Sequence, residues 1–287
     1  MSASTEKDWD IVIKPEGNRF KLNLAEVWAY KDLLMMYVKR DIVVLYKQTI
    51  LGPAWFFIQP ILTTIMFMFV FGGIAGISTD GLPQPLFYMA GILCWNYFSD
   101  CITKASTTFT LNANVFSKVY FPRLVVPISI VISNLVKFFI QFGLFAVLYI
   151  FYIIQGASIA INAYALLFPI LIIMLAGLGL GFGIIISSMT TKYRDLTFLF
   201  TFAVQLWMYI TPVIYPLSVM EGKYEKWMWI IQMNPITSII EAFKYGFLGS
   251  GTFTWFSLAY SFLFTIVVLI FGAWVFNKVE RSFVDIV

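Results

Sequence analysis

An all-α integral membrane protein is the fold class this sequence predicts, and three observations carry the prediction. Of the 287 residues, 60% are hydrophobic and 12% charged, whereas soluble domains carry about 25% charge. The mean hydropathy is +0.85. Apolar stretches recur at the length needed to cross a hydrocarbon core of about 30 Å, which takes about 20 helical residues. Lipid offers no partner to backbone polar groups, so such spans are helices. Six are read, over 53–75, 86–108, 127–153, 163–189, 196–216 and 254–276.

Lysine and arginine set the expected orientation. With the N-terminus in the cytoplasm, segments 1–52, 109–126, 190–195 and 277–287 hold fourteen of the 19 basic residues and segment 217–253 holds three. Lys104 and Lys137 fall inside spans. This excess places both termini on the cytoplasmic side. Residues 1–23 are polar and charged, with no cleavable signal peptide, so the first span is expected to insert as an anchor.

Residues 24–50 are too charged to span. At 100° per residue Leu24, Val27, Trp28, Leu34, Met35, Val38, Ile42, Leu45 and Tyr46 share one arc, while Glu26, Asp32, Lys39, Arg40, Asp41 and Lys47 lie opposite. Tyr30, Lys31, Leu33, Tyr37, Val43 and Val44 break the pattern. An amphipathic helix lying in the membrane interface fits this arc; a bundle helix has a similar pattern. Gly52 permits a bend and Pro53 suits the first turn of a new helix, so "RDIVVLYKQTILGPAWFFIQP", residues 40–60, reads as a corner. The chain divides into a cytoplasmic segment 1–52 and a six-helix membrane domain 53–287.

The second span carries Asp100 and Lys104, four apart, a spacing at which they pair on one helix. The third carries Lys137, with Gln141 one turn on. Ionisable residues at membrane depth are candidates for a translocation path. Cys94 and Cys101 sit two turns apart, too far for a disulfide, and read as small packing residues. "GLGLGFG", residues 177–183, has no strand before it and reads as a helix-packing surface through Gly179 and Gly183, within the subunit or across a dimer, as does "GGIAG" at 72–76. Between the second and third spans, "NAN" at 112–114 offers helix caps to a short, basic, aromatic segment bounded by Pro122 and Pro127. Such a knob docks into another protein or forms a tight turn against the membrane. "TKYRDL", residues 191–196, is the other short inner loop, an anchor or a second partner contact. Segment 217–250 holds two short apolar stretches broken at Asn234-Pro235 and closed by Gly249 and Gly251, the pattern of re-entrant helices or of a folded external loop.

Some functions are excluded by what the chain lacks. There is no His, and no GxxxxGK[ST] phosphate loop, so ATP hydrolysis is not expected on this chain. No catalytic or metal-binding constellation is read, and no basic domain suited to nucleic acid. The 19% aromatic content has two readings, packing and lipid contact or the lining of a passage for sugar surfaces.

Six motifs in order resemble the membrane subunits of ABC exporters for polysaccharides, the O-antigen, capsule and teichoic-acid permeases. They are the corner at 40–60, "NVFSKVYFPRLVVP" at 114–127, "KYRDL" at 192–196, "TPVIYP" at 211–216, "NPITSIIEAFKYGFLG" at 234–249 and the ending "FNKVERSFVDIV". The resemblance covers about 24–287. It implies a bacterial inner-membrane homodimer with two copies of a separate nucleotide-binding subunit, which carries the ATP and Mg, and a lipid-linked glycan as substrate. It also implies that residues 112–122 couple to that ATPase, with Asn114, Phe116, Lys118, Tyr120, Phe121 and Arg123 as the contact residues. The phosphate head of the substrate is expected at Arg40 and Lys47, since cations, and Arg above all, suit phosphate. Tyr37, Trp55, Phe56, Asp100, Lys104 and Lys137 are the expected path residues.

A drug or small-molecule exporter of the same superfamily would share this architecture. A membrane-embedded transferase needs a general base or metal that the sequence does not supply, and an ion channel needs a selectivity ring that is not visible.

Overall fold

The organising element is a helix that sees almost no solvent or lipid. In the computed structural model, which describes residues 24–47, 51–220 and 225–282, helix α4 (Gln84–Ala105) is buried over most of its length, from Leu86 to Ala105. It packs against α3 (Trp55–Phe67), α6 (Val125–Ile154), α7 (Phe168–Thr190), α8 (Leu196–Ile210) and α10 (Pro235–Leu248). Helix α11 (Trp255–Ser282) lies along the other side of α7. The described residues are helical with connecting turns and contain no strand.

Four helical stretches are long and apolar enough to cross a membrane: Gly52–Ile74, Val125–Ile154, Ala163–Thr190 and Trp255–Glu280. They match the first, third, fourth and sixth expected spans. The second, α4, is long but carries Asn96, Asp100 and Lys104. The fifth, α8, has 15 residues, which at 1.5 Å per residue is about 22 Å. It stops because Thr211 precedes Pro212 and takes an extended conformation, ψ 141°.

Close approach around α7 rests on glycine. A Cβ at Gly179 would lie 2.6 Å from the Cys101 Cβ, and one at Gly183 2.5 Å from the Ala105 Cβ, both on α4. The intervening Gly181 faces α11, where its Cβ would meet Val268 at 2.7 Å. The glycine stripe therefore serves packing within the subunit on two opposite faces. Cys94 and Cys101 are free and buried in this packing.

At one end of the bundle, a second apolar cluster joins the N-terminal helices to α5 (Thr108–Phe116). Helices α1 (Leu24–Ala29) and α2 (Lys31–Tyr46) bury Val27, Leu34, Tyr37 and Val38 with Phe116, Phe121 and Val125. Part of the expected arc thus faces protein; Trp28 and Met35 of the same arc stay exposed. Tyr37, expected to break the arc, is buried on this face because its ring meets Phe121 at 6.2 Å. Residues 48–50 of the expected corner lie outside the described residues, as do both chain ends, 1–23 and 283–287. Beyond the corner, Gly52 has φ +46° and Pro53 sits in the first turn of the 3-10 segment Gly52–Ala54 that leads into α3. Only glycine takes such a φ at little cost.

Helix α5 (Thr108–Phe116) begins four residues ahead of the expected caps. Residues 112–114 lie in its body, where Asn112 Nδ2 donates to the Thr108 carbonyl, so they do not cap it.

Segment 217–250 forms two helices, as the two apolar stretches predict. Helix α9 (Glu225–Met233) ends at Asn234, whose side chain caps α10 by accepting from the Ile236 N–H at 3.2 Å. Gly249 closes α10 in the left-handed conformation, φ +75°.

Candidate translocation and docking surfaces

The charged residues of α4 do not pair with each other. Asp100 accepts from Lys137 Nζ on α6 at 2.8 Å, and Lys104 donates to Asn134 Oδ1, also on α6, at 2.7 Å. The expected Asp100–Lys104 pair is therefore replaced by two bonds across the α4–α6 interface. The reason is reach: α6 brings a cation and an amide opposite the two α4 side chains, and each partly buried group takes a direct bond. Gln141 is buried one turn beyond Lys137 with its Nε2 unpartnered among the described residues. Asp100, Lys104 and Lys137 thus form one polar seam between two helices.

At the corner, Arg40 is half exposed and donates through Nε and Nη2 to Asp41 Oδ1 at 3.0 and 2.8 Å. Its guanidinium also lies 4.4 Å from the Tyr37 ring centroid. Two of its nitrogens are thereby engaged with Asp41. Lys47 and Trp55 are exposed and Phe56 is half-buried. Tyr37 does not line an open surface, and burial raises its phenol above the ordinary value.

The expected docking knob divides into an inner and an outer face. Phe116 and Phe121 are buried and their rings meet at 5.6 Å. Arg123 turns inward: Nη1 donates to the Glu280 carbonyl at 2.7 Å and Nε lies 3.9 Å from the Glu280 carboxylate. Burial lowers its pKa, with Glu280 opposing the shift. These three residues fasten the knob to the end of α11, where Phe109 stacks on Phe276 at 4.7 Å. Asn114, Lys118 and Tyr120 face outward, with Leu111 and Val119 beside them. An exposed rim of apolar, aromatic and cationic groups on a packed base is a candidate docking surface.

At the opposite end of the bundle, the irregular segment after α8 is held by α10. Lys244 Nζ donates to the Pro212 carbonyl at 2.6 Å, and Asn234 Nδ2 donates to Thr211 Oγ1 at 2.8 Å. Non-helical backbone at membrane depth persists only where protein satisfies it. Lys244 also lies 3.9 Å over the Phe87 ring and 3.7 Å from Glu241. Glu241 and Lys244 are both buried. Sequence reading counted Lys244 as an external basic residue; the signal was present in "IIEAFKYG", two opposite charges three apart in an apolar helix.

Most phenylalanines near α10 are packing residues. Phe142 stacks on Phe168 at 4.6 Å and Phe243 lies 4.7 Å from Phe247. Another set gathers around Trp207, with Phe98 at 5.4 Å and Phe182 at 5.5 Å. Exposed aromatic groups include Trp55 on α3, Phe69 just beyond it, and Phe198, Phe202 and Tyr209 on α8, with others on α6, α9 and α11. Among the described residues no group of three or more His, Cys, Asp or Glu gathers to hold a metal ion.

Several helices long and apolar enough to cross a membrane, packed around a buried α4, define an integral membrane protein. The chain belongs to the ABC-2 type transporter family, whose profile matches residues 32–248. It is accordingly a transporter membrane subunit and not an enzyme. It is similar to the O-antigen export system permease protein RfbA of Klebsiella pneumoniae, 28% identical over 271 residues that cover 93% of this chain and 98% of that protein. The protein of the same name from Myxococcus xanthus is 26% identical, covering 77% of this chain and 82% of its own length. The polysialic acid transport protein KpsM of Escherichia coli is 22% identical, covering 81% and 87%.

Proposed function

We propose that this chain is the membrane subunit of an ATP-driven exporter that moves lipid-linked polysaccharide across the bacterial cytoplasmic membrane. The observation that carries the reading is the near full-length similarity to two O-antigen export permeases together with a polysialic acid transporter. The chain works as a homodimer with two copies of a nucleotide-binding subunit, which bind ATP and Mg. It crosses the membrane six times with both termini inside. In this reading α4 crosses within the bundle, where its charges are paired, and α8 crosses together with the satisfied non-helical segment 211–216. Helices α1 and α2 form an interface helix whose free face, Trp28, Met35 and Met36, meets the lipid head groups. Helices α9 and α10 dip back from the outer side.

The passage belongs between two copies. In Gly52–Ile74 only 11% of the most apolar window is buried within the chain, against 61% in Ala163–Thr190. Helices α3 and α8 flank α4 and leave their aromatic faces uncovered, so a second copy facing them would enclose a tube of apolar and aromatic side chains. The phosphate head docks at the corner through Lys47 and the remaining donors of Arg40, since a guanidinium offers five N–H groups in a fork. ATP-driven closure of the partner displaces the rim at Asn114, Lys118 and Tyr120. Because Phe116, Phe121 and Arg123 fasten that rim to α11 and to α2, the movement passes to the bundle as a unit. A partner shifts the equilibrium only through contacts that differ between two states, and in this reading those contacts form at the exposed rim.

Deletion of the gene in its source cell tests the reading. Lipid-linked glycan accumulates on the cytoplasmic leaflet and the surface glycan is lost. Unchanged surface glycan with altered drug tolerance would favour the small-molecule exporter instead.

A further inference from the structure

The exporter reading leaves one inner loop without a role, the turn of "TKYRDL" between α7 and α8. Four consecutive side chains there, Lys192 to Asp195, are exposed. Among the described residues none of Lys192, Arg194 and Asp195 forms an ion pair. Lys192 Nζ rests 5.2 Å from the Tyr193 ring centroid. Asp195 stands at the N-cap of α8, where an aspartate ordinarily accepts from the first turn, yet its side chain makes no such bond. Two cations and a carboxylate are thus left unused by the chain itself.

The turn is fixed in place. Thr190, at the end of α7, donates through Oγ1 to the Ser106 carbonyl at 3.0 Å, and the Phe109 N–H at the start of α5 donates to Ser187 Oγ at 3.3 Å. Ser106, Ser187 and Thr190 are all buried. These bonds fasten the turn beside the root of α5, whose far end carries the candidate docking rim. The nine residues of α5 make about 13 Å. A stable protein interface buries roughly 800 Å² on each side, a patch about 30 Å across. A partner seated on the rim is wide enough to cover the turn as well.

The two surfaces suit the parts of one interface. The rim supplies Leu111, Val119 and Tyr120, all strongly exposed, and the turn supplies charge, which belongs at an interface edge. Lys118, Lys192 and Arg194 against Asp195 leave a net charge of about +2, so the complementary surface is acidic. Asp195 favours a protein over a lipid surface. Anionic head groups would repel its carboxylate, whereas a folded partner can set a cation opposite it.

The turn also leads directly into α8. The Thr197 N–H donates to the Arg194 carbonyl at 3.3 Å and the Phe198 N–H to the Asp195 carbonyl at 3.1 Å. Of the 15 residues of α8 only Val204 is buried within the chain. An element with so few buried contacts is the cheapest to displace. The rim, in contrast, is tied to α2 and α11.

We propose that the turn Lys192–Asp195 is a second contact for the nucleotide-binding subunit, with acidic side chains of that subunit facing Lys192 and Arg194, and that it passes the subunit's movement to α8. This contact rests on the ATP-driven exporter reading above and adds a second point of attachment to the rim at Asn114, Lys118 and Tyr120.

Cys94 and Cys101 are buried, so Tyr193→Cys provides one accessible thiol for a benzophenone maleimide. The complex with the nucleotide-binding subunit is placed in nanodiscs of phosphatidylcholine and phosphatidylglycerol. Illumination joins position 193 to that subunit, as it does from Tyr120→Cys on the rim. Separately, Lys192→Glu with Arg194→Glu raises the Kd for the subunit about tenfold or more at low salt, and the difference shrinks at high salt. The Tm of the chain alone stays unchanged, because neither cation has an ion-pair partner there to lose. With the subunit in excess, so that the charge-reversed chain is fully bound, ATP is still hydrolysed while glycan movement falls; movement in full proportion to hydrolysis overturns the link to α8. If the charge-reversed chain does not fold, the photo-adduct decides. An adduct to lipid alone makes the turn a membrane anchor and overturns the proposal, as does an unchanged Kd. Binding of the subunit with an adduct from position 120 and none from 193 overturns this contact alone. If the unsubstituted chain binds no nucleotide-binding subunit, the exporter reading falls and the contact with it.

Discussion

Asp100 and Lys104 show where side-chain partners leave the sequence. Their spacing on one helix is legible, but the choice between a partner four residues away and one across an interface depends on which helix lies opposite. Here α6 supplies Lys137 and Asn134. A double-mutant cycle on Asp100→Ala and Lys137→Ala measures a coupling of about 0.5–1.7 kcal/mol, the range of polar pairs between membrane helices. The cycle on Asp100→Ala and Lys104→Ala gives a smaller coupling, since these two share no direct bond. Unfolding in a mixed micelle reads both, and a larger coupling for the second pair would restore the expected intrahelical bond. Arg123 makes the same point. The family resemblance implies it as a contact for a partner, whereas its hydrogen bond to the Glu280 carbonyl turns it inward. Residues whose role is local were legible: the bend at Gly52, the cap at Asn234 and the left-handed stop at Gly249 each follow from the chemistry of one residue.

Among the elements, the alternating glycines of α7 allow two helices to approach it closely from opposite sides. Gly183→Val would push a branched side chain into Ala105 and is expected to cost about 1–3 kcal/mol or more. The yield of folded chain on size exclusion falls, and Ala105→Gly restores part of it; an unaffected yield would mean the two helices separate freely. That "GLGLGFG" packs helices was readable from spacing, whereas its partners were not, since any helix can approach glycine. The docking knob behaves as an element with two faces. Lys118→Glu with Tyr120→Ala alters only exposed groups, so Tm stays within about 0.5 kcal/mol of stability while ATPase binding and coupled transport fall. Arg123→Glu places a carboxylate beside Glu280 and lowers Tm instead. If both substitutions weakened ATPase binding with Tm unchanged, the inward role of Arg123 would be wrong.

For the whole molecule, the sequence shows a membrane class and a helical fold through apolar length alone, and four stretches keep that property in the structure. Helices α4 and α8 depart from it for opposite reasons. The first is sheltered by its neighbours and tolerates charge; the second is cut short by Thr211-Pro212, and α10 holds the segment that follows. Hydropathy cannot register such shelter, because it weighs residues one at a time. Together these parts make the proposed exporter of lipid-linked glycan, and reconstitution with its ATPase tests it directly. The chain and its nucleotide-binding subunit are reconstituted in vesicles that carry a lipid-linked glycan in one leaflet, with a small apolar drug offered separately. The account predicts ATP-dependent movement of the glycan to the other leaflet, lost on Arg40→Ala with Lys47→Ala, and no ATP-dependent movement of the drug. Drug movement with a stationary glycan would contradict it.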